Sequence, residues 1–263
     1  MTKIHPTAIV SPKAELDSCV EIGPFSIIES NVQVGRQTII GPHVQVCQYT
    51  HIGEECQIFF GCTLGNPSKD LKSQNERSYT LIGNRNTLRE YVSVSRATSE
   101  NSATVIGDDN LLMNWVNIAH DASVGNRTIM ANFATLGGHV VIEDQVRLGA
   151  HAAIHPFVRI GKCAMAGACS KFVKDIPPFT VADGHPARIR GLNLIGRQTA
   201  SNHPMAEISP DTISLLKKVF SILFRSQNSL SQAIDKVKED CPPNDEVNYL
   251  LNFLQSSDRG IAL

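Results

Sequence analysis

Several things are missing from this chain of 263 residues, and each absence removes a class of function. No run of about 18 uninterrupted apolar residues occurs, so no helix is expected to span a bilayer. The opening MTKIHPTAIV has neither the basic run nor the apolar stretch of a secretory signal, which makes a cytoplasmic location the expectation. Lys and Arg number 24 against 25 Asp and Glu, for a net charge of −1, so no global field favours nucleic acid or an anionic membrane. The 7 cysteines are odd in number and none forms a CxxC pair, which argues against a disulfide framework or a zinc ribbon. Cys56, Cys62, Cys163 and Cys169 are instead expected as small buried hydrophobes in a reducing compartment.

What the chain does have is a period. From Ile4 an aliphatic residue returns every six positions: Val10, Leu16, Ile22, Ile28, Val34, Ile40, Val46, Ile52, Ile58 and Leu64. The register resumes at Ile82, Leu88 and Val94. After a second break it runs from Ile106 through Leu112, Ile118, Val124, Met130, Leu136, Ile142, Leu148, Ile154 and Ile160 to Phe172. Glycine often follows the anchor, as at Gly23, Gly35, Gly53, Gly107 and Gly125, and a small or β-branched residue stands four after it, as at Ala8, Ser26, Thr38, Ala122 and Thr128. A step of six fits neither the helical 3.6 nor a plain alternating hairpin. It fits a short strand followed by a corner, with anchor and small residue on the inward face and glycine relaxing the corner. Three such sides make an 18-residue coil, and stacked coils make a parallel β-helix with a rise of about 4.8 Å.

Two polar breaks interrupt the register, GNPSKDLKSQNERSYT (65–80) and RATSENSAT (96–104). Loops ejected from a solenoid are natural carriers of function, the alternative being tolerated insertions. The step ends after DIPPFTVADGHPARIRGLN. SPDTISLLKKVFSILFRS then shows a capped start and apolar Ile213, Leu216, Val219, Phe220 and Leu223 at helical spacing. Two further amphipathic segments follow. The expected organisation is a β-helix over 1–195 and a small helical domain over 200–263 that caps the open edge of the last coil.

Residues 18 apart should lie above one another, so His120 falls under Gly138, Asp121 under His139 with Phe157 above, and Trp115 under Phe133, all on outward slots. An imidazole, a carboxylate and an exposed glycine N–H gathered on one edge suit acyl transfer. Histidine can take a hydroxyl proton and return it to a leaving thiol; an adjacent Asp can orient the ring; a backbone N–H can hold the oxyanion. Simple solvated histidines are the bland alternative, favoured for His5, His43, His51, His185 and His203. Zinc is another, with His151 and His155 on neighbouring sides, although no third ligand stands out.

The pattern [LIV]-G-x-x-[STAV]-x resembles the hexapeptide-repeat acyltransferases, which implies a mainly β fold: a left-handed parallel β-helix, here followed by a small C-terminal α-helical domain. More narrowly, IHPTAIV, KDLK, IGDDNLLM, IAHD, VGNRT, LGGHV, DIPPFTVADG, GLN, FRS and SSDRGI together resemble the UDP-N-acetylglucosamine 3-O-acyltransferases, the LpxA family, over nearly the full length. The resemblance implies His120 as general base supported by Asp121, and Gly138 as oxyanion donor. It implies substrate binding by Asp70, Lys72, Asn117, His139, His155, Asn193 and Arg197, and an acyl groove past Met165 and Ala168. It further implies homotrimers with sites between subunits, a UDP-sugar acceptor, no metal and no separate cofactor. The acyl group would arrive on the phosphopantetheine of acyl carrier protein, an acidic partner for which Lys217, Lys218, Arg225, Arg188, Arg190 and Arg197 offer a docking surface.

Three departures from the family pattern involve four positions. Asn117 stands where a second histidine is usual, Pro156 where Gln is common, and Thr199 and Ala200 where a basic pair faces the nucleotide. They leave the acyl chemistry intact and keep open a paralogue acting on a different sugar nucleotide or using acyl-CoA. A zinc-dependent lyase of the carbonic anhydrase type is the alternative from another class. Repeats that begin at Ile4 argue against the related N-acyltransferases, which carry an extra N-terminal domain.

Overall fold

The computed structural model describes residues 1–74, 76–194 and 203–263. Short strands, mostly of two residues, assemble into three sheets of 11, 9 and 8 strands, parallel except for the final strand of the 11-stranded sheet. Consecutive strands visit the three sheets in turn, and each pairs with the strand one coil away: Ile22 with Ile40, Ile118 with Leu136, Val124 with Ile142. The repeat length is therefore 18 residues wherever no loop intervenes, as the period predicts, until the last coil, where Ile160 pairs with Ile176 and Met165 with Val181. The anchors close on the axis. Ile28, Leu64, Leu112, Ile118 and Leu136 are at most 1% exposed, and one hydrophobic core runs the length of the prism. Ile4, in the first coil with neighbours on one side only, stays 47% exposed.

The corners correct one expectation. Gly23, Gly35, Gly53, Gly107 and Gly125 do not supply a left-handed backbone; that conformation belongs to the residue two positions later, which is rarely glycine. Phe25, Gln37, Asp109, Asp121, Arg127 and His139 all have φ between +54° and +60°, a region that disfavours side chains by about 1–2 kcal/mol each. The surrounding ladder imposes it. The glycines serve close approach: a Cβ on Gly35 would lie 2.7 Å from the carbonyl carbon of Gly53 in the next coil. On one corner the space is taken by side chains. Asn84, Asp108, Asn126 and Asp144 each cap the backbone N–H of the residue one coil below, and Asn126 also donates from its amide to Asp144. Alternating amide with carboxylate spares this column the repulsion of stacked like charges.

Cys56 and Cys62 fill inward slots at 0% exposure, as expected. Cys163 and Cys169 do not share that slot: both are left-handed corner residues, Cys163 buried under the C-terminal segment and Cys169 exposed. Loop residues 67–74, 76–78 and 96–102 lie outside the strands. Beyond Phe172, strands Thr180–Gly184 and Ala187–Leu192 form an antiparallel hairpin, the first continuing one sheet beside Met165. The periodicity held no trace of this hairpin. Helices α1 (Pro210–Phe224), α2 (Leu230–Asp240) and α3 (Asp245–Gln255) follow, capped by Ser209, Ser229 and Asn244. Ile213, Leu216, Val219 and Leu223 of α1 join Phe179 and Cys163 of the prism in a second core. The chain returns to the last coil through Asp175, which pairs with Ile261.

Candidate active site

Strand Asn117–Ile118 ends at a corner that places His120 and Asp121 outward, because Ile118 and Ala122 on either side are both fully buried. His120 Nδ1 lies 2.9 Å from Asp121 Oδ2 and 3.0 Å from Thr98 Oγ1. The Thr98 N–H donates to both Asp121 oxygens at 3.2 Å. Burial pushes the Asp121 carboxyl upward in pKa, but hydrogen bonds from His120 and Thr98, with the nearby His139, outweigh it and hold the group below its ordinary value. Asp121 is therefore a carboxylate at neutral pH, an acceptor that keeps the imidazole proton on Nδ1 and leaves Nε2 bare.

The bare edge of the ring lies over Gly138. A Cβ there would sit 2.5 Å from His120 Cε1 and 2.7 Å from Nε2, so only glycine admits the imidazole in this position. The Gly138 N–H donates to no group among the described residues. Its place, two after the anchor Leu136, is one the ladder does not need: Pro6, Pro12, Pro24, Pro42 and Pro156 occupy the same place in other turns. One coil above Asp121, His139 brings Nε2 to 3.7 Å from Asp121 Oδ2 and stacks on Phe157 at 4.7 Å. Trp115 and Phe133 stack in parallel on a different corner. Donor atoms of His120, Asp121 and His139 lie within 4.8 Å of one another, close enough for a cation. A metal using Nδ1 of His120 would displace its bonds to Asp121 and Thr98.

The remaining candidates scatter. Asn117 lies in the strand leading to His120, paired with Ser93 and Thr135, and makes no hydrogen bond to the histidine. Asp70 accepts the Lys72 N–H at 2.9 Å, and its own N–H donates to Ser68 Oγ, which is 2.8 Å from Thr98 Oγ1. Both loops thus meet the His120 network within one chain. His155 lies above Gly137, its Nδ1 3.2 Å from Arg259 of the C-terminal segment. Asn193 is buried and donates to the Cys163 carbonyl, a structural tie with no link to His120. Met165 is half-buried and Ala168 exposed, farther along the prism. Arg197, Thr199 and Ala200 lie outside the described residues. Of the cations read as a docking surface, Arg190 is paired with Asp183, Lys218 donates to the Asp240 carbonyl, and Arg188 to the Leu263 carbonyl. His151 stacks on Phe133, on another corner from His155.

Thr98 and Ser68 were not singled out from the sequence, although a signal existed. Both register breaks follow strands, Thr63–Asn66 and Ser93–Ser95, that lie in the same column as Asn117–Ile118. Counting turns across the breaks puts both loops at the foot of the His120 corner. That the loops present hydroxyls to His120 could not be counted.

A prism of hexapeptide coils with a carboxylate-held imidazole over a bare glycine defines a transferase class. Residues 103–138 match the family model described as bacterial transferase hexapeptide (six repeats), and 175–262 match UDP N-acetylglucosamine O-acyltransferase, domain 2. The chain belongs to the acyl-[acyl-carrier-protein]–UDP-N-acetylglucosamine O-acyltransferase family and is an O-acyltransferase. It is 47% identical to the enzyme of that name from Thermodesulfovibrio yellowstonii over the whole of both chains, and 39% identical to that from Thiobacillus denitrificans over 99% of each. The structure of LpxA from Acinetobacter baumannii superposes with a TM-score of 0.92 at 37% identity, covering 99% of each chain, and that from Bacteroides fragilis with 0.92 at 34%, covering 98% of each. The left-handed parallel β-helix expected from the resemblance is the fold of this chain. No helix among the described residues is long and apolar enough to cross a membrane.

Proposed function

We propose that this chain transfers a (3-hydroxy)acyl group from acyl carrier protein to the 3-hydroxyl of UDP-N-acetylglucosamine, the opening step of lipid A synthesis, with His120 as general base. The observation that carries this reading is the His120 ring packed over Gly138, with Nδ1 held by Asp121 and Thr98 so that Nε2 is left for the substrate. A sugar hydroxyl at Nε2 loses its proton as its oxygen attacks the thioester carbon. The developing oxyanion takes the Gly138 N–H, and the imidazolium is stabilised by Asp121. Collapse of the tetrahedral intermediate expels the phosphopantetheine thiolate, which recovers the proton from Nε2. The two substrates and His120 suffice for this balance, so neither a metal nor a separate cofactor enters.

The relatives' names support the donor and acceptor, and a sugar-reading role for Asp70 and Lys72, with His139 beside Asp121, is supported by the hydrogen bonds that join the Asp70 loop to Thr98 at His120. Its tip residue Leu71 is fully exposed, as suits a loop that reaches a second subunit in a homotrimer. A cytoplasmic location agrees with a donor carried on acyl carrier protein. The test is a transfer assay with a panel of 3-hydroxyacyl carrier proteins and several UDP-sugars. His120→Ala should lose most turnover while folding normally, and near-normal turnover would remove His120 as the base.

A further inference from the structure

We propose that Thr98 is a positioning residue for His120, and that the Ser68–Thr98 hydroxyl pair ties the base to the loop bearing Asp70 and Lys72. The proposal rests on His120 being the base. Thr98 makes three contacts that no other described residue combines. Its N–H pins both oxygens of Asp121 at 3.2 Å, its Oγ1 lies 3.0 Å from His120 Nδ1, and the same oxygen lies 2.8 Å from Ser68 Oγ. Ser68 Oγ in turn accepts the Asp70 N–H at 3.2 Å, and Asp70 Oδ1 accepts the Lys72 N–H. An unbroken path of hydrogen bonds therefore runs from the first loop, through the second, to the imidazole.

The direction of each bond follows from proton counting. Asp121 as a carboxylate has no proton to give, so the bond at Nδ1 requires the proton on that nitrogen. Thr98 Oγ1 then accepts a share of the same Nδ1–H and turns its own proton to Ser68 Oγ. The reverse orientation, Thr98 donating to Nδ1, would put the imidazole proton on Nε2 and block the base. Asp121 neighbours His120 in sequence, and its carboxylate has rotational freedom that one contact to the ring does not remove. The Thr98 N–H removes it. Any shift of the first loop on binding acceptor is passed through two hydroxyls to the ring that must meet that acceptor.

Thr98→Val keeps the N–H and the shape and deletes the hydroxyl. With UDP-N-acetylglucosamine and a 3-hydroxyacyl carrier protein, it should lower kcat roughly 3- to 10-fold, the worth of one hydrogen bond expressed in the transition state; because it also breaks the tie to Ser68, the acceptor KM should rise as in Ser68→Ala, with the donor KM within about twofold. Thr98→Ser, which retains the hydroxyl, should restore at least half of the turnover. Ser68→Ala, which frees the loop, should raise the acceptor KM about threefold or more. In a His120→Ala background Thr98→Val should cause no further loss. If Thr98→Val lowers Tm, Thr98→Ala gives the same reading without a methyl in place of the hydroxyl. Wild-type kcat in Thr98→Val, or Thr98→Ser as impaired as Thr98→Val, overturns the positioning role while a dead His120→Ala leaves the base standing. An active His120→Ala overturns the base itself.

Discussion

Replacing Gly138 by alanine adds one methyl group at the point where structure and chemistry meet. The new Cβ would lie 2.5 Å from His120 Cε1, 2.7 Å from Nε2 and 3.2 Å from Nδ1. Something must move, and the backbone is held by the ladder at Leu136 and Ile154. The imidazole yields, and in swinging away it breaks the 2.9 Å bond to Asp121 and the 3.0 Å bond to Thr98. Two such bonds are worth about 1–3 kcal/mol together, part of it regained from water, so stability should fall by about 1–2 kcal/mol and Tm by roughly 2–8 °C. Turnover should fall much further. A base displaced by about 1 Å loses on the order of 100-fold, or about 2.7 kcal/mol of barrier, before any effect on the oxyanion donor. Steady-state kinetics and a thermal melt on the same preparation separate the two. Gly35→Ala is the contrast, since its Cβ would meet backbone, Gly53 C at 2.7 Å and Glu54 N at 2.8 Å, far from His120. That variant should melt well below wild type and, where folded, turn over normally. A Gly138→Ala enzyme within threefold of wild-type kcat would refute the placement of the ring, its role, or both.

Other outcomes follow from the same geometry. Asp70→Ala should raise the acceptor KM without changing the fold; unchanged KM and kcat would place the first loop away from the substrate. Asp121 has a folded pKa below its unfolded value near 3.9, so its contribution to stability is complete above that value and is lost as pH falls through the folded pKa. Asp121→Asn should therefore flatten the stability profile on the acid side, below about pH 4, and an unchanged slope in acid denaturation would contradict this. Burial pushes the Cys62 and Cys163 thiols up to about 12. Neither should react with a thiol reagent at pH 8 until the protein unfolds, and rapid labelling of either, located by mass spectrometry, would show that the prism is looser than described.

How far the sequence reached is clearest at the corners. The six-residue step, the inward anchors and the stacking of His120 beneath Gly138 and of Asp121 beneath His139 could be counted out, because a solenoid maps position in the chain directly onto position in space. The glycines were legible as a pattern but misread in cause: they leave room for the next coil, while Asp121, His139 and their equivalents carry the left-handed φ. Cys163 was assigned to the wrong slot, and its burial comes from the C-terminal segment, where it joins Met205 and Leu216 in one core. Asn193, carried over as a substrate residue, is buried and donates to the Cys163 carbonyl, a tie that the repeat does not encode. The hairpin of Thr180–Gly184 and Ala187–Leu192 has too few turns to display a period.

The chain by itself determined whatever repeats: the coil length, the core, the outward edge bearing His120, Asp121 and His139, and the amphipathic helices at the end. Each is a local rule applied many times, so one sequence is evidence enough. Tertiary structure alone decided whatever does not repeat. Which nitrogen of His120 is held, which hydroxyls reach it from two loops, and how Arg259 comes to lie against His155 depend on contacts between segments distant in sequence, and no period encodes them.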